Sequence, residues 1–191
     1  MPSQHLEILT EDASTAAALE ALFLRHLSSE IEYRLIQFNG LATLLERLPE
    51  RLQAYRSWIP PDYRIVILID RDSADCHARK NTLEQAAQKA GFATKTAPEA
   101  SGAFQVVTRI AIEELEAWFF GDVPALRAAF PGVPESLSQK ERYRNPDAIR
   151  GGTAEALLRV LQEAGHYNGL QRLPKLIGHK LRVNGCLVPV L

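Results

Sequence analysis

Five carboxylates in this chain stand where an α/β fold can bring side chains together: Glu11, Asp70, Asp72, Glu114 and Glu116. Each group follows an apolar run that reads as a strand. The clearest is RIVILIDRD, where Ile65–Ile69, mostly β-branched, stops at Asp70-Arg71-Asp72. A buried parallel strand has this composition, and in open α/β sheets functional groups collect beyond the carboxyl ends of the strands. Carboxylates that converge there repel one another unless a cation offsets the charge. Ligands that offer only oxygen select a hard ion, Mg²⁺ or Mn²⁺. The expected chemistry is metal-assisted phosphoryl transfer or hydrolysis.

Each residue also has a plainer reading. Glu11 can serve as a favourable charge at a helix N-terminus. Asp70 and Asp72 can be solvated loop residues, with Asp72 or Asp75 as a helix cap. Glu113 reads as a first-turn charge. Glu114 and Glu116 are two apart and cannot share a helical face. They reach one site only at a strand-to-helix junction, and on physics alone they read as solvated first-turn glutamates.

Lys140, Arg142, Arg144 and Arg150 lie within eleven residues that hold two acids, Glu141 and Asp147, with Tyr143 interleaved. This is the candidate for contact with a phosphate backbone, against the plain alternative of an exposed charged loop. Cys76-His77 are adjacent and point apart on a helix, so a softer metal is not expected there. The remaining histidines are scattered. There is no GxSxG, HExxH, GxxxxGK[ST] or GxGxxG, which removes the usual support for a hydrolase elbow, a zincin, a P-loop NTPase or a dinucleotide site.

The elements that must position these residues alternate. HLEILT (5–10) reads as a first strand, followed by a helix over AAALEALFLRHL that Ser14 or Thr15 can cap. IEYRLIQF (31–38) alternates with period two and ends at Gly40. Residues 41–58 read as helix interrupted or restarted at Pro49. After the third strand, Ser73 or Asp75 can cap a helix over 74–90 closed by Gly91. Residues 104–112 form a fourth strand that passes directly into the helix EELEAWFF. A βαβα order implies a mostly parallel sheet covered by helices. Beyond Gly121 the chain is rich in Pro, Gly and charge, with short helices expected at 123–129 and 153–164.

The 191 residues fit one domain, or one domain with an appendage. Lys plus Arg number 22 and Asp plus Glu 23, for a net charge of −1, which argues against a uniformly basic nucleic-acid coat while leaving room for a local basic groove. Two cysteines, Cys76 and Cys186, make no disulfide scaffold, and the expected compartment is the reducing cytoplasm. MPSQHLEIL lacks the features of a signal peptide, and no apolar run approaches the roughly 20 residues of a membrane span.

The segments ILTED, FNG, IVILIDRDSADC, TRIAIEELEAWFFGD and RNPDAIRGGTAEALLRVLQEAGHY together resemble the DUF4276 family, over about residues 5–178. TRIAIEELEAWFFGD carries most of the resemblance. It implies a TOPRIM-related, OLD-nuclease-like protein: a small α/β domain with a central parallel sheet that holds Mg²⁺ through a first-strand glutamate and a later DxD. By that resemblance Glu11 matches the glutamate, Asp70 and Asp72 match the DxD, and Glu114 and Glu116 match the family's paired glutamates. It also implies association with AAA-type ATPases and with anti-phage defence. Three positions depart from the family pattern: Asp12 stands where many relatives carry Gly, Leu41 where many carry Lys, and the ending LRVNGCLVPVL replaces an Asn-Arg-Ser-rich one. That ending reads as truncated or frame-shifted, which would impair a copy that needs it for substrate contacts.

The expected architecture is thus a TOPRIM-like α/β core (1–121) with a helical C-terminal extension (122–191) packed on it. The expected function is Mg²⁺- or Mn²⁺-dependent cleavage of phosphodiester bonds in nucleic acid, DNA in preference to RNA. Glu11, Asp70 and Asp72 would hold the metal, with Glu114 and Glu116 as a second site or general base. One rival is a non-catalytic partner subunit of an AAA-type ATPase that uses the acidic cleft as a structural or sensing metal site. Another is a phosphohydrolase or nucleotidyl-transfer enzyme acting on small substrates.

Overall fold

The computed structural model describes residues 4–72, 74–112 and 114–171. Ser73, Glu113, His179, Cys186 and the ending LRVNGCLVPVL lie outside the described residues. Four strands alternate with helices in the order β1 (Gln4–Thr10), α1 (Ala13–His26), β2 (Ile31–Gln37), α2 (Leu41–Trp58), β3 (Arg64–Asp70), α3 (Cys76–Lys89), β4 (Val106–Ala111). They form one parallel sheet in the order β2-β1-β3-β4. The α/β class and the parallel sheet are those the alternation implies. β1 and β3 are neighbours, with Thr10 opposite Leu68, so their carboxyl ends leave the sheet at the same edge.

Contacts divide the chain into two compact units. One comprises the described residues up to Ala16 together with His26–Ala111, and the other comprises Ala17–Arg25 and the described residues from Ile112.

In the first unit, α2 and α3 cover one face of the sheet. Leu44, Leu48, Leu52 and Tyr55 form a stripe along α2 that packs with Leu9, Ile65, Ile67, Ile69 and Val106 of the strands and Leu83 and Ala87 of α3. This stripe explains why α2 runs through Pro49 as one helix of 18 residues rather than restarting there. Proline removes one backbone bond and costs about 3 kcal/mol inside a helix. Four buried side chains at about 1.5–3 kcal/mol each outweigh that. Pro49 itself is exposed.

A buried acid that the sequence does not advertise ties α3 to β4. Glu84 accepts hydrogen bonds from the Thr94 and Thr108 hydroxyls, from Thr96 Oγ1 at 3.2 Å and from Lys80 Nζ at 3.3 Å. Burial alone pushes its carboxyl up, but the hydroxyls of Thr108 and Thr94 and the Lys80 ammonium reverse this and leave it below the usual range. The charge is therefore retained inside a satisfied network.

The second unit is built from short helices: α4 (Glu116–Gly121), α5 (Val123–Ala129) and α6 (Thr153–Glu163), with 3-10 turns at Glu135–Gln139, Glu141–Tyr143 and Pro146–Ala148. Phe119, Phe120, Leu126, Phe130, Leu157 and Leu161 are buried. Phe120 stacks on Tyr143 at 5.1 Å between ring centres. Among the described residues no helix is long and apolar enough to cross a membrane.

Candidate metal centre

Three contacts, two to the turn after β2 and one local, place Glu11 at the carboxyl end of β1. The Phe38 N–H donates to the Thr10 carbonyl at 2.9 Å, and the Gly40 N–H donates to the Glu11 carbonyl at 2.7 Å. Gly40 has φ +93°, in the region that favours glycine, and a Cβ there would meet no atom within 4 Å. The FNG segment needs glycine for its backbone turn and not for space. The third contact is that of Asp12, whose Oδ1 accepts the Thr15 N–H at 2.8 Å and so caps α1 in place of the Ser14 or Thr15 expected from the sequence.

Asp70 ends β3, and Asp72 sits in the turn that follows. Asp72 has φ +48°, the left-handed region that Asp tolerates better than most residues. The Arg71 carbonyl, one peptide before Asp72, accepts both the Ala74 N–H and Arg79 Nε–H, each at 3.0 Å. Asp75 caps α3 by accepting the His77 and Ala78 N–H groups at 2.8 and 3.1 Å, and these bonds hold its carboxyl below the usual range.

Glu11, Asp70 and Asp72 each offer a carboxylate oxygen, and these atoms lie within 4.8 Å of one another. It is the one such group of three or more acidic, His or Cys side chains among the described residues. Glu11 and Asp70 are buried and Asp72 is exposed, so the cluster opens to solvent on one side. Glu11 Oε2 is buried and accepts no hydrogen bond. The Glu11 carboxyl is raised from 4.5 to about 7, first by burial, then by the charges of Asp72 and Asp12; the Asp70 N–H and the Arg79 guanidinium oppose the rise. A buried carboxylate with one oxygen that accepts no hydrogen bond, clustered with two further carboxylates, fits a hard divalent cation. Nothing in the donor set favours a soft one. Cys76 and His77 take no part in the cluster, as their adjacent positions on α3 imply.

Glu114 and Glu116 belong to the second unit. Glu114 is not a solvated first-turn glutamate. Its Oε2 accepts the Thr153 N–H at 2.9 Å, Thr153 Oγ1–H at 2.7 Å and the Ala154 N–H at 3.0 Å. It therefore caps α6, whose own N-cap, Gly152, has no side chain to do so. The paired motif segments EELEAWFFGD and RNPDAIRGGT thus meet through one carboxylate. Glu116 is half-buried in the first turn of α4.

Lys140, Arg142 and Arg150 line an open groove of about 690 Å³ with Asn145 and Ile149. Arg144 is not among its lining residues; its Nη2 donates to the Gln139 carbonyl at 3.4 Å. Tyr143 is buried on Phe120, and the Arg142 guanidinium lies 4.9 Å from its ring centre. Tyr143 is thereby withdrawn from any base-stacking role.

No curated protein and no solved structure matches the chain. A family described as a domain of unknown function, DUF4276, matches residues 10–178 and so spans the metal cluster, Glu114, Glu116 and the basic groove. The chain belongs to the DUF4276 family.

Proposed function

We propose that the protein is a Mg²⁺- or Mn²⁺-dependent enzyme that cleaves phosphodiester bonds in nucleic acid, as the TOPRIM resemblance implies. The observation that carries the reading is the cluster itself: Glu11, Asp70 and Asp72 each bring a carboxylate oxygen within 4.8 Å of the others, and Glu11 Oε2 is buried and accepts no hydrogen bond. In this reading Glu11, Asp70 and Asp72 hold the ion. The bound ion would supply Lewis acidity at a phosphoryl oxygen and a lowered pKa for water. Glu11 gives up its proton when the ion binds, because a carboxyl near 7 is only partly ionised at neutral pH. Asp72, on the exposed side, presents the site to solvent and to substrate.

Lys140, Arg142 and Arg150 hold the phosphate backbone in the groove of the second unit. With Tyr143 buried, this groove offers charge and no aromatic platform, so it reads backbone rather than base. Glu114 acts by fixing α6, and Glu116 keeps the role of second acidic residue that the family resemblance implies. The reading as a partner subunit has no comparable support: among the described residues the large exposed apolar side chains, Leu24, Trp58 and Leu170, fall on three separate segments of the chain.

The test is an assay on single- and double-stranded DNA and RNA with Mg²⁺ or Mn²⁺, run beside Asp70→Asn. Metal-dependent cleavage that Asp70→Asn abolishes is the expected result. No cleavage of any of the four substrates with either ion ends the nuclease reading.

A further inference from the structure

A guanidinium is bonded to the loop that carries two of the three cluster carboxylates and forms no ion pair with them. Arg79 lies in the second turn of α3, half-buried, and its Nε–H donates to the Arg71 carbonyl at 3.0 Å. That carbonyl belongs to the peptide joining the DxD segment's middle residue to Asp72. Its second bond, from the Ala74 N–H, holds the turn in place. The cap at Asp75 fixes the start of α3, and the Arg79 N–H donates to the Asp75 carbonyl at 3.0 Å. The Arg79 backbone is thus fixed in the helix, and its guanidinium is anchored at Nε to the loop. Its charge reaches Glu11, where it lowers the carboxyl's pKa.

Among the described residues the Nε bond is the only hydrogen bond of this side chain, and it forms no ion pair. Four N–H groups on Nη1 and Nη2 remain. An arginine whose task was to neutralise the carboxylates would fork onto one of them, since bidentate pairing is the strongest geometry available to it. Arg79 instead spends Nε on the Arg71 carbonyl, between Asp70 and Asp72 in the chain, and its Nη groups make no hydrogen bond among the described residues. Metal sites that act on phosphate combine these two elements, because the ion takes one oxygen and a fixed guanidinium takes the others.

We propose that Arg79 is the anion-binding residue of the metal centre and that its Nη groups grip the phosphate of a phosphodiester ligand seated on the ion. This rests on the metal-centre reading above and names the ligand class of that site as a phosphate ester.

The test uses the full chain, Mn²⁺ and a fluorescent single-stranded DNA oligonucleotide. Mn²⁺ affinity is measured by calorimetry, and oligonucleotide affinity by anisotropy with and without Mn²⁺, for wild type, Arg79→Gln and Arg79→Lys. The metal-dependent gain in DNA affinity isolates this site from the basic groove, which needs no metal. The expected result is a gain in the wild type that falls about tenfold or more in Arg79→Gln, the loss of one or two charge-assisted hydrogen bonds. Mn²⁺ affinity changes little, and Arg79→Lys recovers part of the gain. Thermal unfolding of both variants without metal reports any loss from the Arg71 contact. Three outcomes overturn the proposal. An unchanged metal-dependent gain in Arg79→Gln removes the anion contact. A change in Mn²⁺ affinity as large as the change in DNA affinity makes Arg79 a counter-charge to the carboxylates. A wild type that binds Mn²⁺ but gains no DNA affinity has a different ligand. A wild type that binds no Mn²⁺ ends the metal-centre reading itself, and is told apart from the other outcomes by calorimetry alone.

Discussion

The Gly40 N–H donates to the Glu11 carbonyl at 2.7 Å, which locks the turn after β2 to the first acidic residue of the metal cluster. Gly40 holds φ +93° to make that bond. Gly40→Ala should cost about 1–2 kcal/mol, because the side chain fits the space but not the backbone angle. It should also weaken the stabilisation by Mn²⁺, since Glu11 loses its backbone tether. Urea unfolding with and without Mn²⁺ measures both effects. A variant as stable as wild type would show that the turn relaxes to another conformation at no cost.

Mn²⁺ should raise the melting temperature of the wild type in a concentration-dependent way, by mass action on the folded state. Asp72→Asn should reduce that rise and raise the melting temperature of the metal-free protein. It removes a like charge facing Glu11, and asparagine tolerates the same positive φ. Asp72→Ala should lack the second benefit. Scanning calorimetry distinguishes the two substitutions.

The pH dependence follows from Glu11. Its carboxyl is raised from 4.5 to about 7 in the fold. Between those values the folded protein keeps a proton that the unfolded chain has released. Stability without metal therefore falls as pH rises through this window and levels off above it. Metal binding must displace the proton, so apparent Mn²⁺ affinity should climb with pH up to about 7 and then flatten. Glu11→Gln should remove the slope in metal-free stability. An unchanged slope in that variant would assign the proton to another group.

Glu114→Ala should destabilise the protein by about 2 kcal/mol, the value of a charged acceptor serving several helix-terminal donors. Glu114→Gln, which keeps one acceptor oxygen, should lose about half of that, and Thr153→Val should lose about 1 kcal/mol from the hydroxyl contact. This replaces the sequence-based reading of Glu114 as a solvated first-turn glutamate. Denaturant titration of the three variants is the check. Near-wild-type stability in Glu114→Ala would place the cap's energy elsewhere.

Salt dependence tests the groove. Lys140→Ala, Arg142→Ala and Arg150→Ala should each weaken DNA binding without regard to base sequence. Each should also lower the slope of log affinity against log salt by about one. Arg144→Ala, whose guanidinium contacts the Gln139 carbonyl and lines no part of the groove, should change the slope less.

The sequence by itself determined the strands and the residues that end them. Burial of a parallel strand on both faces demands the continuous apolar run Ile65–Ile69, and that run leaves Asp70 at its carboxyl end whatever the rest of the chain does. These are local patterns, and periodicity reveals them; the parallel pairing of β1 with β3, which sets Glu11 near Asp70, belongs to the tertiary structure. Tertiary structure decided what depends on residues far apart in the chain. Pro49 stays within a helix because a stripe of leucines packs on the sheet, a gain that no local propensity contains. Glu114 is a cap because α6, thirty-nine residues further on, starts with a glycine that cannot cap itself. Tyr143, which looks in sequence like an aromatic among cations, is drawn into the core by Phe120. The open fork of Arg79 is likewise invisible in sequence, since only the folded turn brings the Arg71 carbonyl to its Nε. Hydrogen bonds and packing between distant segments are satisfied only once the chain is assembled, so the partners that give these side chains their roles exist only in the fold.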